Sequence, residues 1–143
     1  MPKSVLAPLC ALGLLAACQS SGEEGNSGPT PAFDAIAVDE VVHFGGTEPF
    51  WGGEIASGEA RYSTPENVDG VTFPVERFAG LNGVSFSGSM GETAFDLMVT
   101  PGECSDGMSD RTYPYVATLQ LGGEKLMGCA WTDSQPFEGS EAP

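Results

Sequence analysis

The feature that most constrains the fold is a series of short segments in which apolar and polar residues alternate and which end at glycine or proline. Residues 84–88 read VSFSG, and residues 115–121 and 125–131 flank a Gly-Gly pair in the clearest hairpin pattern of the chain. Alternation with a period of two is typical of strands that bury one face. With 20 Gly and 11 Pro in 143 residues, turns are frequent and long helices are disfavoured. We therefore predict an all-β domain, a small antiparallel barrel or sandwich of about eight strands that closes to remove exposed edges.

Some strand boundaries are less clear. Residues 35–44 fit a helix or a strand, but their β-branched side chains favour a strand, which the following glycine pair is expected to end. Pro74 interrupts the alternation of residues 71–78, and this predicts an edge strand or a bulge because proline cannot donate a ladder hydrogen bond. Pro101 is expected to end the strand that precedes it.

The N-terminal residues predict export and lipid anchoring. Lys3 precedes an apolar run at residues 5–17 that is too short to span a bilayer and fits a signal peptide. Residues 15–18 read LAAC and resemble the lipobox of bacterial lipoproteins, in which the cysteine, here Cys18, is acylated and becomes the new N-terminus. Several acyl chains anchor a protein without a transmembrane helix. Because Gln19 stands where aspartate favours the inner membrane, the resemblance implies the outer membrane of a Gram-negative cell, with the domain facing the periplasm. The alternative is an ordinary signal peptide in which Cys18 is incidental.

These patterns divide the chain into four parts. A signal peptide occupies residues 1–17, and a lipidated flexible tether rich in Ser, Gly and Pro occupies residues 18–32. A single all-β domain is predicted at residues 33–133, and a disordered acidic tail at residues 134–143.

The four cysteines have different expected fates. Cys10 is removed with the leader and Cys18 is lipidated, so Cys104 and Cys129 remain as an even pair in an exported domain. This predicts a disulfide between them. A zinc site is the alternative, but only His43 is left to join the two thiolates.

The charge balance excludes one class of partner. Twenty acidic and five basic residues give a net charge of −15. A polyanion would be repelled, so no nucleic-acid partner is predicted. The acidity instead favours solubility after export, or attraction to a basic partner or to cations.

Two stretches have a composition that folding alone does not require: residues 46–51 read GTEPFW, and residues 104–114 read CSDGMSDRTYP. Together with GCA at residues 128–130, they resemble a family of small bacterial envelope lipoproteins with GTEPFW and CSDGMSDRxYP motifs. That family is found in company with HslJ-like heat-shock lipoproteins and C-type lysozyme inhibitor domains. The resemblance implies a role in envelope stress or defence and assigns no activity.

The cysteine loop, residues 104–115, admits two interpretations. In the first it is structural, with Arg111 pairing Asp106 or Asp110. In the second it is a binding surface, in which Arg111, Tyr113 and Tyr115 contact a partner. A cation site at the loop carboxylates matches no EF-hand spacing, so no metal site is predicted.

Two further candidate binding residues lie in the GTEPFW stretch. Trp51 is more typical of a core residue than of a ligand platform, and Glu48 is expected to pair with Arg61 or Arg77. Scattered methionines are compatible with Cu(I), but those in strands are expected to pack inside, and no cofactor is predicted.

Enzyme signatures are weak. The chain has one histidine and contains no GxSxG, HExxH or phosphate-loop motif. We therefore predict a non-enzymatic, lipid-anchored envelope protein that contacts the membrane through its lipid and binds a protein partner. The alternatives are an inhibitor of a lysozyme-like cell-wall hydrolase, a small-ligand or metal carrier, and an enzyme that uses paired carboxylates.

Overall fold

The computed structural model describes residues 28–140, which form a closed antiparallel β-barrel. The signal peptide, Cys18 and most of the tether lie outside the described residues. The eight strands are β1 (Val42–Thr47), β2 (Phe50–Ala56), β3 (Glu59–Thr64), β4 (Asn67–Ala79), β5 (Val84–Met90), β6 (Thr93–Ser105), β7 (Thr112–Leu121) and β8 (Glu124–Thr132). The predicted all-β class and strand number are confirmed.

Each strand pairs with the next one in the sequence, and β1 pairs with β8 to close the barrel. The closing ladder runs from Val42 opposite Thr132 to Gly45 opposite Cys129. Closure satisfies the backbone groups that an open sheet would expose at its edges. Among the described residues there is no helix long and apolar enough to cross a membrane.

The interior of the barrel is a packed aromatic and aliphatic core. Phe95 is completely buried, and its ring centroid lies 5.0 Å from that of Phe73, 6.2 Å from that of Phe44 and 6.3 Å from that of Tyr62. Along β6 and β7 these inward side chains alternate with more exposed ones, as the period-two pattern predicts. Since the interior is filled by side chains, binding has to use the outer wall or the ends of the barrel.

Two strand-boundary predictions are wrong. The glycine pair at residues 45–46 lies inside β1 instead of ending it, because the backbones of β1 and β8 approach so closely at Gly45 and Gly128 that a Cβ at Gly128 would overlap the Gly45 carbonyl. Pro101 also lies inside a strand, since β6 continues to Ser105 after a register shift beyond Pro101.

Pro74 lies where β4 changes partners, in a barrel that has no edge strand. It forms the last pair with β3, opposite Glu59, and Val75 forms the first pair with β5, opposite Gly88. Proline has no backbone N–H to donate, and here that gap falls where pairing with β3 ends and pairing with β5 begins. The register irregularity on the β3–β4 ladder lies elsewhere, between Tyr62 and Thr64.

Both ends of the described chain pack against the barrel. At the N-terminal side, the Phe33 amide donates to the Gly80 carbonyl at 2.7 Å. At the other end, Thr112 and Glu138 exchange backbone hydrogen bonds of 2.8 and 2.9 Å. Residues 134–140, predicted as part of a disordered tail, therefore form an ordered strap across the start of β7. The physical reason is Phe137, which packs against Tyr113.

Candidate functional site

The cysteine loop folds back over the outer face of β8 and β1. Cys104 at the end of β6 and Cys129 on β8 form the predicted disulfide, with 5.6 Å between their Cα atoms. Ala130 points into the core, so its neighbour Cys129 faces outward and lies buried beneath the loop. The bridge thus fixes the tip of the β6–β7 hairpin against the barrel wall.

Asp106 organises this loop. Its Oδ1 accepts hydrogen bonds from the Met108 amide at 2.9 Å and the Ser109 amide at 2.8 Å. Its Oδ2 accepts from the Ser109 hydroxyl at 2.7 Å and the Tyr113 hydroxyl at 3.1 Å. Hydrogen bonds from Ser109 and from the Met108 amide lower the pKa of Asp106 from 3.8 to about 2. The carboxylate is therefore ionised at neutral pH and holds the loop in one conformation.

The two motif stretches meet at this point. The Thr47 hydroxyl donates to the Asp106 backbone carbonyl at 3.0 Å, and Thr47 is followed by a turn with a cis peptide bond between Glu48 and Pro49. An open cleft of about 410 Å³ lies between this turn, the cysteine loop and the start of β8. Its lining residues are Thr47, Glu48, Ser105, Asp106, Gly107, Met108, Lys125 and Met127.

The cleft combines charge with polarisable apolar groups. Glu48 and Lys125 are exposed and carry opposite charges, while Met108 and Met127 expose thioethers. Since methionine adapts to irregular surfaces, such a lining suits recognition of an apolar side chain flanked by charge.

A second cluster lies outside the barrel, beneath the strap. The Tyr113 and Trp131 rings lie 5.3 Å apart, and Phe137 packs 5.3 Å from Tyr113 and 5.6 Å from Trp131. The Arg111 guanidinium carbon lies 4.3 Å from the centroid of the Phe137 ring. Burial raises the pKa of the Tyr113 hydroxyl. The strap thus occupies the surface that a partner of Arg111 and Tyr113 would need.

The predicted binding residues therefore fall into two groups. Glu48 and Asp106 reach the cleft, and Asp110 is exposed on the loop. In contrast, Trp51, Tyr113 and Tyr115 are buried. The buried tyrosine rings present little surface to a partner on the folded protein, and the burial of Trp51 agrees with the prediction that it belongs to the core.

The arginines predicted to pair with Glu48 have other partners, and the hydrogen bonds to Asp106 come from groups other than Arg111. Arg61 lies 3.5 Å from Glu54, and Arg77 donates to the Ile36 carbonyl at 2.7 Å, so neither serves Glu48. Four hydrogen bonds from uncharged groups satisfy Asp106 without Arg111, which turns to Phe137.

Sequence inspection did not find the environment of His43. Its Nε2 lies 2.9 Å from Asp133 Oδ1, its Nδ1 lies 3.9 Å from Glu54, and its ring stacks on Trp131 at 5.3 Å. These partners are distant in sequence, and only the registers of β1 with β2 and β8 bring them together. Within residues 28–140, no three His, Cys, Asp or Glu side chains are grouped so as to hold a metal ion.

Two strand methionines also differ from expectation. Met98 and Met127 were expected to pack inside, but both point to the outer face and are about half exposed. Side chains alternate between the two faces of a strand. Leu97 and Leu126 occupy the inward positions next to Met98 and Met127, so the methionines face outward.

No family model, curated protein or solved structure matches the chain.

Proposed function

We propose that the protein is a non-enzymatic, lipid-anchored envelope lipoprotein that recognises a protein partner through the cleft between the cysteine loop and the Glu48 turn. The observation that carries this proposal is the convergence of the two unusual sequence stretches, joined by the hydrogen bond from Thr47 to Asp106. The lipobox at residues 15–18 and the family resemblance support the envelope address.

The chemistry of the cleft suggests how it acts. Asp106 and the disulfide hold the loop in place, so the exposed groups are preorganised and lose little conformational freedom on binding. With a net charge of −15, the protein attracts a basic partner over long range. Glu48 then offers a local acceptor, and the two methionines offer apolar contact. The packed interior favours such a surface over a carrier that encloses its ligand in the barrel.

Site-specific photo-crosslinking in living cells tests this. A photoreactive phenylalanine at position 108, in the cleft, is compared with the same group at position 68 on β4. Met108 and Val68 are both exposed, so unspecific collisions label the two positions alike. We expect a discrete protein adduct from position 108 that weakens when Glu48→Lys reverses the charge of the cleft.

The outcomes separate the possibilities. Identical adducts from positions 108 and 68 would reject the cleft as a specific site. A correctly localised, folded protein that gives no adduct from position 108 would do the same. An adduct that survives Glu48→Lys unchanged would show that the charge of the cleft is not part of recognition.

A second candidate function is inhibition of a basic cell-wall hydrolase. Residues 57–62 read SGEARY and faintly resemble a Ser-Gly-Ala-Arg-Tyr stretch of the C-type lysozyme inhibitors, with one residue inserted. Ser57 and Gly58 form an exposed turn with positive φ angles, beside a cavity of about 190 Å³. Such a turn can enter a concave active site. Unchanged lysozyme turnover in the presence of excess protein would eliminate this function.

A further inference from the structure

The side of the barrel opposite the cleft carries a group of exposed apolar residues. Phe78 at the end of β4 is 70% exposed, Leu81 in the following turn is 73% exposed, and Met98 on β6 is 49% exposed. A depression of about 290 Å³ lies between Phe78 and Met98. We refer to Phe78, Leu81 and Met98 as the β4–β6 patch.

Strand register makes this patch part of an uncharged row on the outer wall. Phe78 lies opposite Ser85, Ser85 opposite Met98, and Met98 opposite Thr118. Two residues further along each strand, the next outward-facing row consists of Glu76, Ser87 and Asp96. The charged side chains begin in that row. In a protein with a net charge of −15, a neutral row beside exposed aromatic and aliphatic side chains is an unusual surface.

The position of the incoming chain indicates what covers the patch. The Phe33 amide is bonded to the Gly80 carbonyl, so the tether reaches the barrel beside Phe78 and Leu81. Cys18 and Phe33 are 15 positions apart in the sequence. A chain of that length reaches at most about 50 Å. The patch therefore lies beside the point at which the chain from Cys18 reaches the barrel.

We propose that the β4–β6 patch rests on the surface of the membrane that holds the lipid anchor, with Phe78 and Leu81 inserted at the level of the headgroups. This inference rests on the proposed anchor at Cys18. Aromatic and aliphatic side chains at a bilayer interface gain from removal of their apolar surface from water. The uncharged row keeps the acidic groups of Glu76 and Asp96 away from anionic headgroups.

Orientation on vesicles tests the proposal. Residues 18–143 are coupled through Cys18 to a maleimide phospholipid in phosphatidylethanolamine–phosphatidylcholine vesicles that contain brominated lipid. Cys104 and Cys129 are bridged, so Cys18 is the reactive thiol of this chain. The barrel closes within residues 42–132, and removal of the first 17 residues leaves it intact.

The reporter is a tryptophan at position 81, and its matched control is a tryptophan at position 68. Val68 is 73% exposed, like Leu81, but it lies at the other end of β4, ten residues from Phe78. The native Trp51 and Trp131 contribute the same background fluorescence in both variants. We expect bromolipid quenching and a blue shift for Leu81→Trp, and neither for Val68→Trp.

Further measurements complete the test. Phe78→Ser should lower the partition of the uncoupled chain onto the same vesicles by about tenfold, whereas Val68→Ser should leave it unchanged. Met98→Trp replaces the reporter if Leu81→Trp does not fold. Equal quenching at positions 81 and 68, or quenching at neither, would overturn the proposal. A blue shift of Leu81→Trp that depends on protein concentration without lipid would instead assign the patch to self-association and overturn it as well.

The anchor itself is tested separately. Mass spectrometry of the protein from a bacterial host reports acylation of Cys18, and the vesicle experiment does not depend on it because the chemical coupling replaces the natural lipid. An unacylated Cys18 would therefore reject the lipid anchor. Equal quenching of the tryptophans at positions 81 and 68 would instead reject the contact between the β4–β6 patch and the membrane.

Discussion

Replacement of Asp106 by asparagine should destabilise the protein at neutral pH and remove part of its acid sensitivity. The carboxylate accepts two backbone and two side-chain hydrogen bonds, and asparagine offers one oxygen in place of two. The lowering of the Asp106 pKa from 3.8 to about 2 corresponds to at most about 2.5 kcal/mol of unfolding free energy at pH 7. Because the side chain is partly exposed to water, we expect about 1–2 kcal/mol.

The sign of the pH dependence follows from the direction of this pKa change. The pKa of Asp106 is lower in the folded protein than in the unfolded chain, so the stabilisation is present above pH 3.8 and is lost as the pH falls through about 2. Wild type and Asp106→Asn should therefore differ most at pH 6 and converge towards pH 2. Urea unfolding at a series of pH values measures this difference, and hydrogen exchange at the Met108 and Ser109 amides reports the loop directly.

Asp110→Asn is the matched control. Asp110 is exposed on the same loop, so its replacement removes one negative charge without removing the hydrogen bonds that Asp106 accepts. It should leave the exchange of the Met108 and Ser109 amides unchanged. A difference between wild type and Asp106→Asn that stays constant from pH 6 to pH 2 would refute the assignment of the acid-sensitive stabilisation to this carboxylate.

Three further predictions concern stability. Reduction of the disulfide, or replacement of Cys104 and Cys129 by serine, should lower the unfolding free energy by about 3.5 kcal/mol, because the bridge joins residues separated by 25 positions; urea unfolding with and without reductant measures this. Phe137→Ala should cost about 1–2 kcal/mol, since this ring is half-buried, and should speed amide exchange where the strap pairs with β7. Gly46→Ala should cost about 1–3 kcal/mol, because a Cβ there overlaps the indole of β2 and a carbonyl of β8, whereas Gly123→Ala meets no atom within 4 Å and should be nearly neutral in thermal unfolding.

The barrel could be predicted from the sequence because each strand buries one face. At residues 93–99 of β6, Phe95, Leu97 and Val99 are buried while Asp96 and Met98 are exposed, and a shift of one residue would reverse both faces. The disulfide was predictable for a different reason: an exported domain with two remaining cysteines offers a single pairing.

Strand ends were harder to predict because glycine and proline have two structural uses. In a local pattern they indicate turns, but Gly45 and Gly46 lie inside β1, where a Cβ at Gly46 would overlap Trp51 and the Met127 carbonyl. The strap was missed because its composition is acidic and contains proline. Phe137, the one aromatic residue of the strap, was the only sequence signal for an ordered segment. It packs on Trp131 and Tyr113, and these come close to it only in the closed barrel.

The candidate site required the folded structure because its parts are distant in sequence. Thr47 and Asp106 are 59 residues apart. They come together because the β6–β7 hairpin bends outward and lies over β8 and β1. The candidate binding residues predicted from the sequence include Glu48 and Asp106, which line the cleft, but also Tyr113 and Tyr115, which are buried.

The two surface proposals are geometrically compatible. In a closed ring of eight strands β5 lies opposite β1, so the β4–β6 patch and the cleft between β1, β8 and the cysteine loop lie on opposite sides of the barrel. If the patch rests on the membrane, the cleft points away from it towards the aqueous compartment, where a partner can reach Met108 and Glu48. The reverse orientation would press the cleft and its exposed Glu48 and Lys125 against lipid. A strong photo-crosslink from position 108 to a soluble partner, combined with bromolipid quenching of a tryptophan at position 81, is therefore expected from the same anchored molecule. Bromolipid quenching of a tryptophan at position 108 would contradict this orientation.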